Sequence, residues 1–257
     1  MLVGFIGLGN MGSAIAKAVA KVEGTDLLLS NHNVAKASKL QAEIGGTLAT
    51  NQEVAEKSDV VFLGVKPYQV GQAIAELAGS INKQAVWISM ATGVALADLE
   101  KLLPGHSIVR MMPNTPVALG AGMTSFTASD DAAKAVFTKL MAYSGETVEI
   151  AENLMDAATA VAGCGPAYVY QFIEAMADAG VQNGLARPAA IKMAAQTVLG
   201  SAEMVLKTGQ HPAELRDAVT SPGGSTIAGV VALEQNGFRY ATISAVNAAL
   251  ARNKELG

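Results

Sequence analysis

An apolar run at Val3–Ile6 passes directly into Gly7-Leu8-Gly9-Asn10-Met11-Gly12, and Ser13–Ala20 continue with helical spacing. A strand, a glycine turn and a helix in that order leave a chain few folds to choose from. The first glycine lets the chain turn off the strand, the second removes the Cβ that would hold a phosphate away from the backbone, and the third lets the helix pack closely on the strand. The helix N-terminus then offers free N–H groups and the positive end of its dipole. The spacing predicts a βα unit that cradles a pyrophosphate through Gly7, Leu8, Gly9, Asn10, Met11 and Gly12. A merely structural glycine turn is the alternative.

At 257 residues the chain has room for one or two domains. Hydrophobic residues make up 51% and charged residues 16%, which predicts that some apolar surface is buried between subunits. A net charge of −4 leaves no basic face for nucleic acid and no polybasic patch for a membrane. The single cysteine, Cys164, excludes an intramolecular disulfide and fits a reducing compartment. The apolar start lacks a basic segment before it, and glycines interrupt it. Ala85–Leu99 is too short to span a bilayer. The expectation is a soluble, cytoplasmic protein without a metal site.

Residues 1–151 alternate short apolar runs (Val3–Ile6, Asp26–Ser30, Val60–Gly64, Ala85–Ser89, Ser107–Met111, Met123–Thr127) with helical segments near Val34–Glu43, Tyr68–Leu77, Ala95–Leu102 and Asp130–Tyr143. Several runs are apolar throughout, as in strands covered on both faces of a parallel sheet. This predicts an α/β fold with a doubly wound sheet of Rossmann type. From 152 to 257 strand signals stop. Val169, Phe172, Ile173, Met176 and Gly180 share one helical face, as do residues from Ile191 to Leu206, and Pro166, Pro188 and Pro212 each stand at a helix start. The second domain is expected to be all helical.

In NAD-type sites an acid at the tip of the second strand accepts from the ribose hydroxyl. Here the tip reads Ser30-Asn31-His32-Asn33, with Lys36 and Lys39 following. Ser30, Asn31 and Asn33 can donate to a 2′-phosphate, so NADP is favoured, with NAD still open. Further ligand loops should lie at the carboxyl ends of the strands. The candidates are Asn51, Val65-Lys66-Pro67, Ala91-Thr92-Gly93, and Asn114 in a turn stiffened by Pro113 and Pro116. Each also reads as an ordinary solvated loop.

In the helical half, Pro222-Gly223-Gly224 forces a loop, and Ser225 or Thr226 stands where an N-cap would open a helix running to about Gln235. Such an end suits a small carboxylate, and it also suits a structural cap alone.

The run Arg216–Thr226 resembles the signature segment of the pyrroline-5-carboxylate reductases. Gly7–Gly12, Val65-Lys66-Pro67, Met112–Pro116 and Ala162–Tyr168 agree with the same family in the same order. The resemblance implies reduction of 1-pyrroline-5-carboxylate to L-proline, the last step of proline biosynthesis, with NADPH or NADH. It also implies homodimers built from the helical domains, often assembled into rings. It places the Thr226 hydroxyl at the imine nitrogen as the catalytic group, with Ser221, Gly224 and Ser225 beside it around the substrate carboxylate. Cys164 stands where the family usually has serine. Two rivals are a β-hydroxyacid dehydrogenase-type reductase and a non-catalytic NADP-binding sensor. The first needs a lysine on the helix that here reads Ala167–Phe172, and there is none. The second has no need of an anion site at Thr226.

Overall fold

A computed structural model describes residues 1–256. The chain forms two compact units, Met1–Cys164 joined by the C-terminal segment from Ala249, and Gly165–Ala248.

The first unit is a twisted sheet flanked by helices. Its elements run β1 (Leu2–Ile6), α1 (Asn10–Val19), β2 (Asp26–Ser30), α2 (Val34–Ile44), β3 (Thr47–Leu48), α3 (Asn51–Lys57), β4 (Val60–Leu63), α4 (Val70–Ala75), β5 (Val86–Ser89), α5 (Leu96–Leu102), β6 (Ile108–Pro113), β7 (Gly122–Ala128), α6 (Asp131–Leu140), β8 (Gly145–Glu149) and α7 (Met155–Ala158). The sheet order is β3-β2-β1-β4-β5-β6-β7-β8. Order reverses between β1 and β4, the switch point at which ligands of such sheets bind. The apolar strands explain the two-sided core. Phe5, Phe62, Ile88 and Val109 face one helix layer, while Val61, Leu63, Trp87 and Ile108 face the other. Phe5 and Phe62 stack at 4.7 Å on neighbouring strands.

One departure from a purely parallel sheet has a simple cause. β7 pairs antiparallel with β6, because only the short 3₁₀ turn Thr115–Leu119 connects them. A parallel return needs a crossover of a dozen or more residues. β8 then pairs parallel with β7 at the sheet edge. The sequence pattern also passed over β3 and α3, and it extended the helix at 68–77 through what is a 3₁₀ turn, Pro67–Gln69, followed by α4.

The expected boundary at 151/152 differs from the contact division at 164/165. Glu152 explains part of the shift. Its carboxylate accepts from the buried Arg110 on β6 and from the Leu96 N–H that opens α5. Ala162, in the π turn Thr159–Gly163, accepts from Asn114 at 3.0 Å.

The second unit holds α8 (Gly165–Gln182), α9 (Arg187–Thr208), α10 (Pro212–Ala218), α11 (Ser225–Gln235) and the first part of α12 (Phe238–Leu256). Its core is small: Ala177 on α8 meets Ala190 and Ala194 on α9, where a Cβ on Gly180 would already crowd Ala190. None of the described residues of α10, α11 or α12 is buried. Tyr170, Ile191, Met193, Leu206, Tyr240 and Ile243 are all largely exposed. A helical unit that leaves so much apolar surface uncovered is built to pack against another subunit.

Candidate functional site

The glycine turn separates into two kinds of glycine. Gly7 has φ +96°, and a Cβ there would lie 2.5 Å from the Gly64 carbonyl oxygen. A Cβ on Gly12 would lie 2.3 Å from the Gly7 carbonyl oxygen. The protein's own packing therefore demands both. Gly9 is different: a Cβ there meets no atom within 4 Å. The open space in front of Gly9 is a cradle that a side chain would fill, and α1 begins one residue later with no side chain capping it. Its free first-turn N–H groups face an anion of pyrophosphate type well. The fit to a dinucleotide rests on that cradle.

A groove of about 810 Å³ runs past the turn along the carboxyl edge of the sheet. Gly7, Gly9, Asn10, Met11 and Gly12 line its centre. Asn31 and Asn51 line it on the β2–β3 side, with Val65, Lys66 and Pro67 after β4 and Ala91 and Thr92 after β5. A smaller cavity of about 360 Å³ includes Ser30, Asn31, His32 and Asn51.

Four expected contact residues line neither the groove nor the smaller cavity. Leu8 is buried in the core, although its N–H and carbonyl are held by Asn31 and Ser13. Asn33 serves as the N-cap of α2, accepting from the Lys36 N–H. Gly93 takes a positive φ within the turn after β5. Asn114 is buried with both ends of its amide bonded within the protein: it donates to Ala162 and accepts from the Met123 N–H at 2.9 Å. It braces the end of β6 from within. Asn31 lines the groove and is also held by the protein. Its Oδ1 accepts from the Leu8 N–H at 2.9 Å and its Nδ2 donates one hydrogen to the Asn33 carbonyl, so it pins the glycine turn and keeps a single N–H for a ligand.

Sequence reasoning missed one wall of the groove. Gln69, Gln72, Ala73 and Glu76 line it from α4 and the turns at its two ends. They follow the i, i+3, i+4, i+7 spacing of a single helical face, which was a signal available in the sequence. His32 and Lys36 complete the opposite side.

In the helical unit the segment 220–226 forms the expected loop. Gly223 has φ +70°, and the Gly224 N–H closes a turn onto the Ser221 carbonyl at 3.0 Å. The N-cap of α11 is Gly224, not Ser225 or Thr226. A glycine suits the tight spot, since a Cβ there would lie 2.5 Å from Ser221 Oγ. The two hydroxyls consequently sit in the first turn, exposed and without hydrogen-bond partners, beside N–H groups that no side chain caps. That leaves Ser221, Ser225 and Thr226 free to bind a small anion.

A doubly wound sheet with this turn and groove, continued by a helical unit, defines a two-domain dinucleotide-binding oxidoreductase. Comparison with known proteins narrows the class. Residues 2–93 match the family model described as NADP oxidoreductase, coenzyme F420-dependent, and residues 152–256 match that of pyrroline-5-carboxylate reductase dimerisation. The chain is 46% identical to the pyrroline-5-carboxylate reductase of Synechocystis sp., over 99% of this chain and 98% of that protein. Among solved structures, the Coxiella burnetii pyrroline-5-carboxylate reductase superposes with a TM-score of 0.90 at 34% identity, covering 99% and 98% of the two chains. The Plasmodium falciparum pyrroline carboxylate reductase, solved with NADP bound, gives 0.85 at 35%, covering 100% and 98%. The chain belongs to the pyrroline-5-carboxylate reductase family.

Proposed function

We propose that this chain reduces 1-pyrroline-5-carboxylate to L-proline with NADPH, the closing step of proline biosynthesis. The observation that carries the reading is the 46% identity to a pyrroline-5-carboxylate reductase across 99% of the chain, which spans both the glycine turn and the segment at Thr226. NADPH, when bound, supplies the hydride that adds to the imine carbon. The turn Gly7–Gly12 would hold its pyrophosphate; Asn51, His32 and Lys36 stand toward the adenosine end, with Val65, Lys66, Pro67, Ala91 and Thr92 along the remaining wall.

The chain's own residues position the substrate. Ser221, Gly224 and Ser225 hold the carboxylate through free hydroxyls and N–H groups at the start of α11. The Thr226 hydroxyl hydrogen-bonds the ring nitrogen and aligns the C=N bond. A protonated imine already carries the positive charge that hydride addition neutralises, so alignment provides most of the effect and no strong acid is needed. The three histidines fit that account: His106 and His211 bond to neighbouring backbone, and His32 lies at the cofactor groove.

The homodimer of this reading forms through the exposed apolar faces of α9, α11 and α12, with further assembly of dimers into rings, in the cytoplasm where reduced nicotinamide is available. One assay tests the reaction. NADPH absorbance is followed on adding pyrroline-5-carboxylate, with a small hydroxyacid plus NADP as the control. Consumption with the imine and formation of proline are expected. Turnover of the hydroxyacid instead would favour the dehydrogenase-type rival, and binding without turnover of either would leave a sensor.

A further inference from the structure

Several polar side chains at the β2 tip have their bonding partly decided by the fold. Asn31 bonds Leu8 through Oδ1 and Asn33 through one N–H, and Asn33 Oδ1 accepts from the Lys36 N–H. Ser30 is only 6% exposed, and its hydroxyl donates to Asn51 Oδ1 at 2.7 Å. Asn51 is the first residue of α3 and lines both the groove and the smaller cavity. An asparagine amide has an acceptor at one end and two donors at the other. With Oδ1 turned to Ser30, the amino group is the end left to face the cavities, and it has no partner in the protein.

We infer that Ser30 is a positioning residue for cofactor selectivity, acting through Asn51: its hydroxyl holds the amide in the orientation that offers donors to a 2′-phosphate. A half-turn of the amide would present the carbonyl oxygen instead, which repels a phosphate and accepts from a ribose hydroxyl. The inference rests on the reading that the adenosine end of the cofactor lies between Asn51 and His32. Glu76, fixed by a hydrogen bond from Gln72 at 2.8 Å, is the acid on the walls of both cavities. Its presence makes the donor orientation of Asn51 matter more, because the surroundings do not otherwise exclude an acceptor-rich arrangement.

The test uses the full chain and two fragments that differ by one phosphate, 2′,5′-ADP and 5′-AMP, titrated calorimetrically without substrate. Ser30→Ala is expected to weaken 2′,5′-ADP by roughly two- to tenfold, the worth of one hydrogen bond, and to leave 5′-AMP within about twofold. Asn51→Ala is expected to do the same, and Ser30→Ala made in the Asn51→Ala background to add nothing, since the relay is already broken. Asn51→Asp, which offers only acceptors, is expected to reverse the order of the two fragments. This variant keeps the test decisive if Ser30→Ala folds poorly. Equal weakening of both fragments by Ser30→Ala, or an additive effect in the double variant, overturns the positioning role. Failure of the unaltered chain to bind either fragment overturns the dinucleotide reading beneath it.

Discussion

Gly9→Ala is expected to leave the protein folded and to impair its cofactor binding. The backbone at Gly9 has φ −68° and ψ −169°, which any L-residue adopts. The added methyl group meets no protein atom within 4 Å. Two small effects on stability then oppose each other. Replacing glycine narrows the unfolded ensemble and stabilises by about 0.4–1 kcal/mol. Alanine is a poorer N-cap than glycine, and Gly9 caps α1, which costs on the order of 0.5–1 kcal/mol. The apoprotein should keep its stability to within about 1 kcal/mol, or roughly 2–4 °C in Tm for a chain of this size.

Gly12→Ala makes the informative contrast. Its Cβ would sit 2.3 Å from the Gly7 carbonyl oxygen, and a backbone atom cannot swing aside as a side-chain tip can. Helix and strand must separate, at about 1–3 kcal/mol or more. For binding, the same range applied to a methyl group wedged between Gly9 and a pyrophosphate gives roughly five- to 150-fold in Kd. Melting of the apoprotein by circular dichroism, at fixed protomer concentration because oligomers melt by mass action, is paired with calorimetric titration of NADP. If Gly9→Ala melts as low as Gly12→Ala, the space before Gly9 has a packing role that the geometry lacks. If it binds NADP within about twofold of the unaltered chain, the pyrophosphate does not lie there.

Thr226→Ala should lower kcat by roughly ten- to a thousandfold, corresponding to about 1.4–4 kcal/mol of transition-state alignment; unchanged turnover would remove Thr226 from the chemistry. Steady-state kinetics with both cofactors should show a lower KM for NADPH than for NADH, and the reverse order would defeat the donor-rich reading of the β2 tip. Asp130 caps α6 by accepting from the Ala133 N–H at 2.8 Å, and that bond holds its carboxyl below the ordinary carboxylate range. A depressed folded pKa means the stabilisation is present above the unfolded value of about 3.9 and is lost as pH falls through the folded one. Asp130→Ala should therefore cost about 1 kcal/mol at neutral pH, and denaturant melts should show the gap closing below about pH 4.

Strands with both faces covered were legible because their apolar character is continuous: Val60–Leu63 and Val86–Ser89 are buried along nearly their whole length. β3 and β8 were not, for the opposite reason. Thr47 and Leu48 are exposed between the positive-φ pair Gly45-Gly46 and α3. Gly145–Glu149 is an edge strand carrying Glu146 and Glu149, so neither strand shows an apolar period. α3 was missed although Thr50 and Glu53 spell a capping box, with both reciprocal bonds formed. The reversal at β7 was readable too, from a connection too short for a crossover helix.

The site divides along a different line. Residue type tells what a side chain can bond, and sequence displays that well: the β2 tip was visibly polar and free of acid. Which bonding capacity remains for a ligand depends on partners that are distant in sequence. Asn31 commits its Oδ1 to the Leu8 N–H, 23 residues away, and Asn114 commits an N–H to the Ala162 carbonyl, 48 residues away. Asn51 keeps both its donors, because Ser30 occupies only its acceptor. The same subtraction operates at α11. Because Gly224 takes the cap position, Ser225 and Thr226 are not spent on their own helix, and their hydroxyls remain available. In both places the groups proposed to meet cofactor and substrate are the ones whose bonding capacity the fold leaves unspent, which is a stronger pointer to ligand than polar character in a loop.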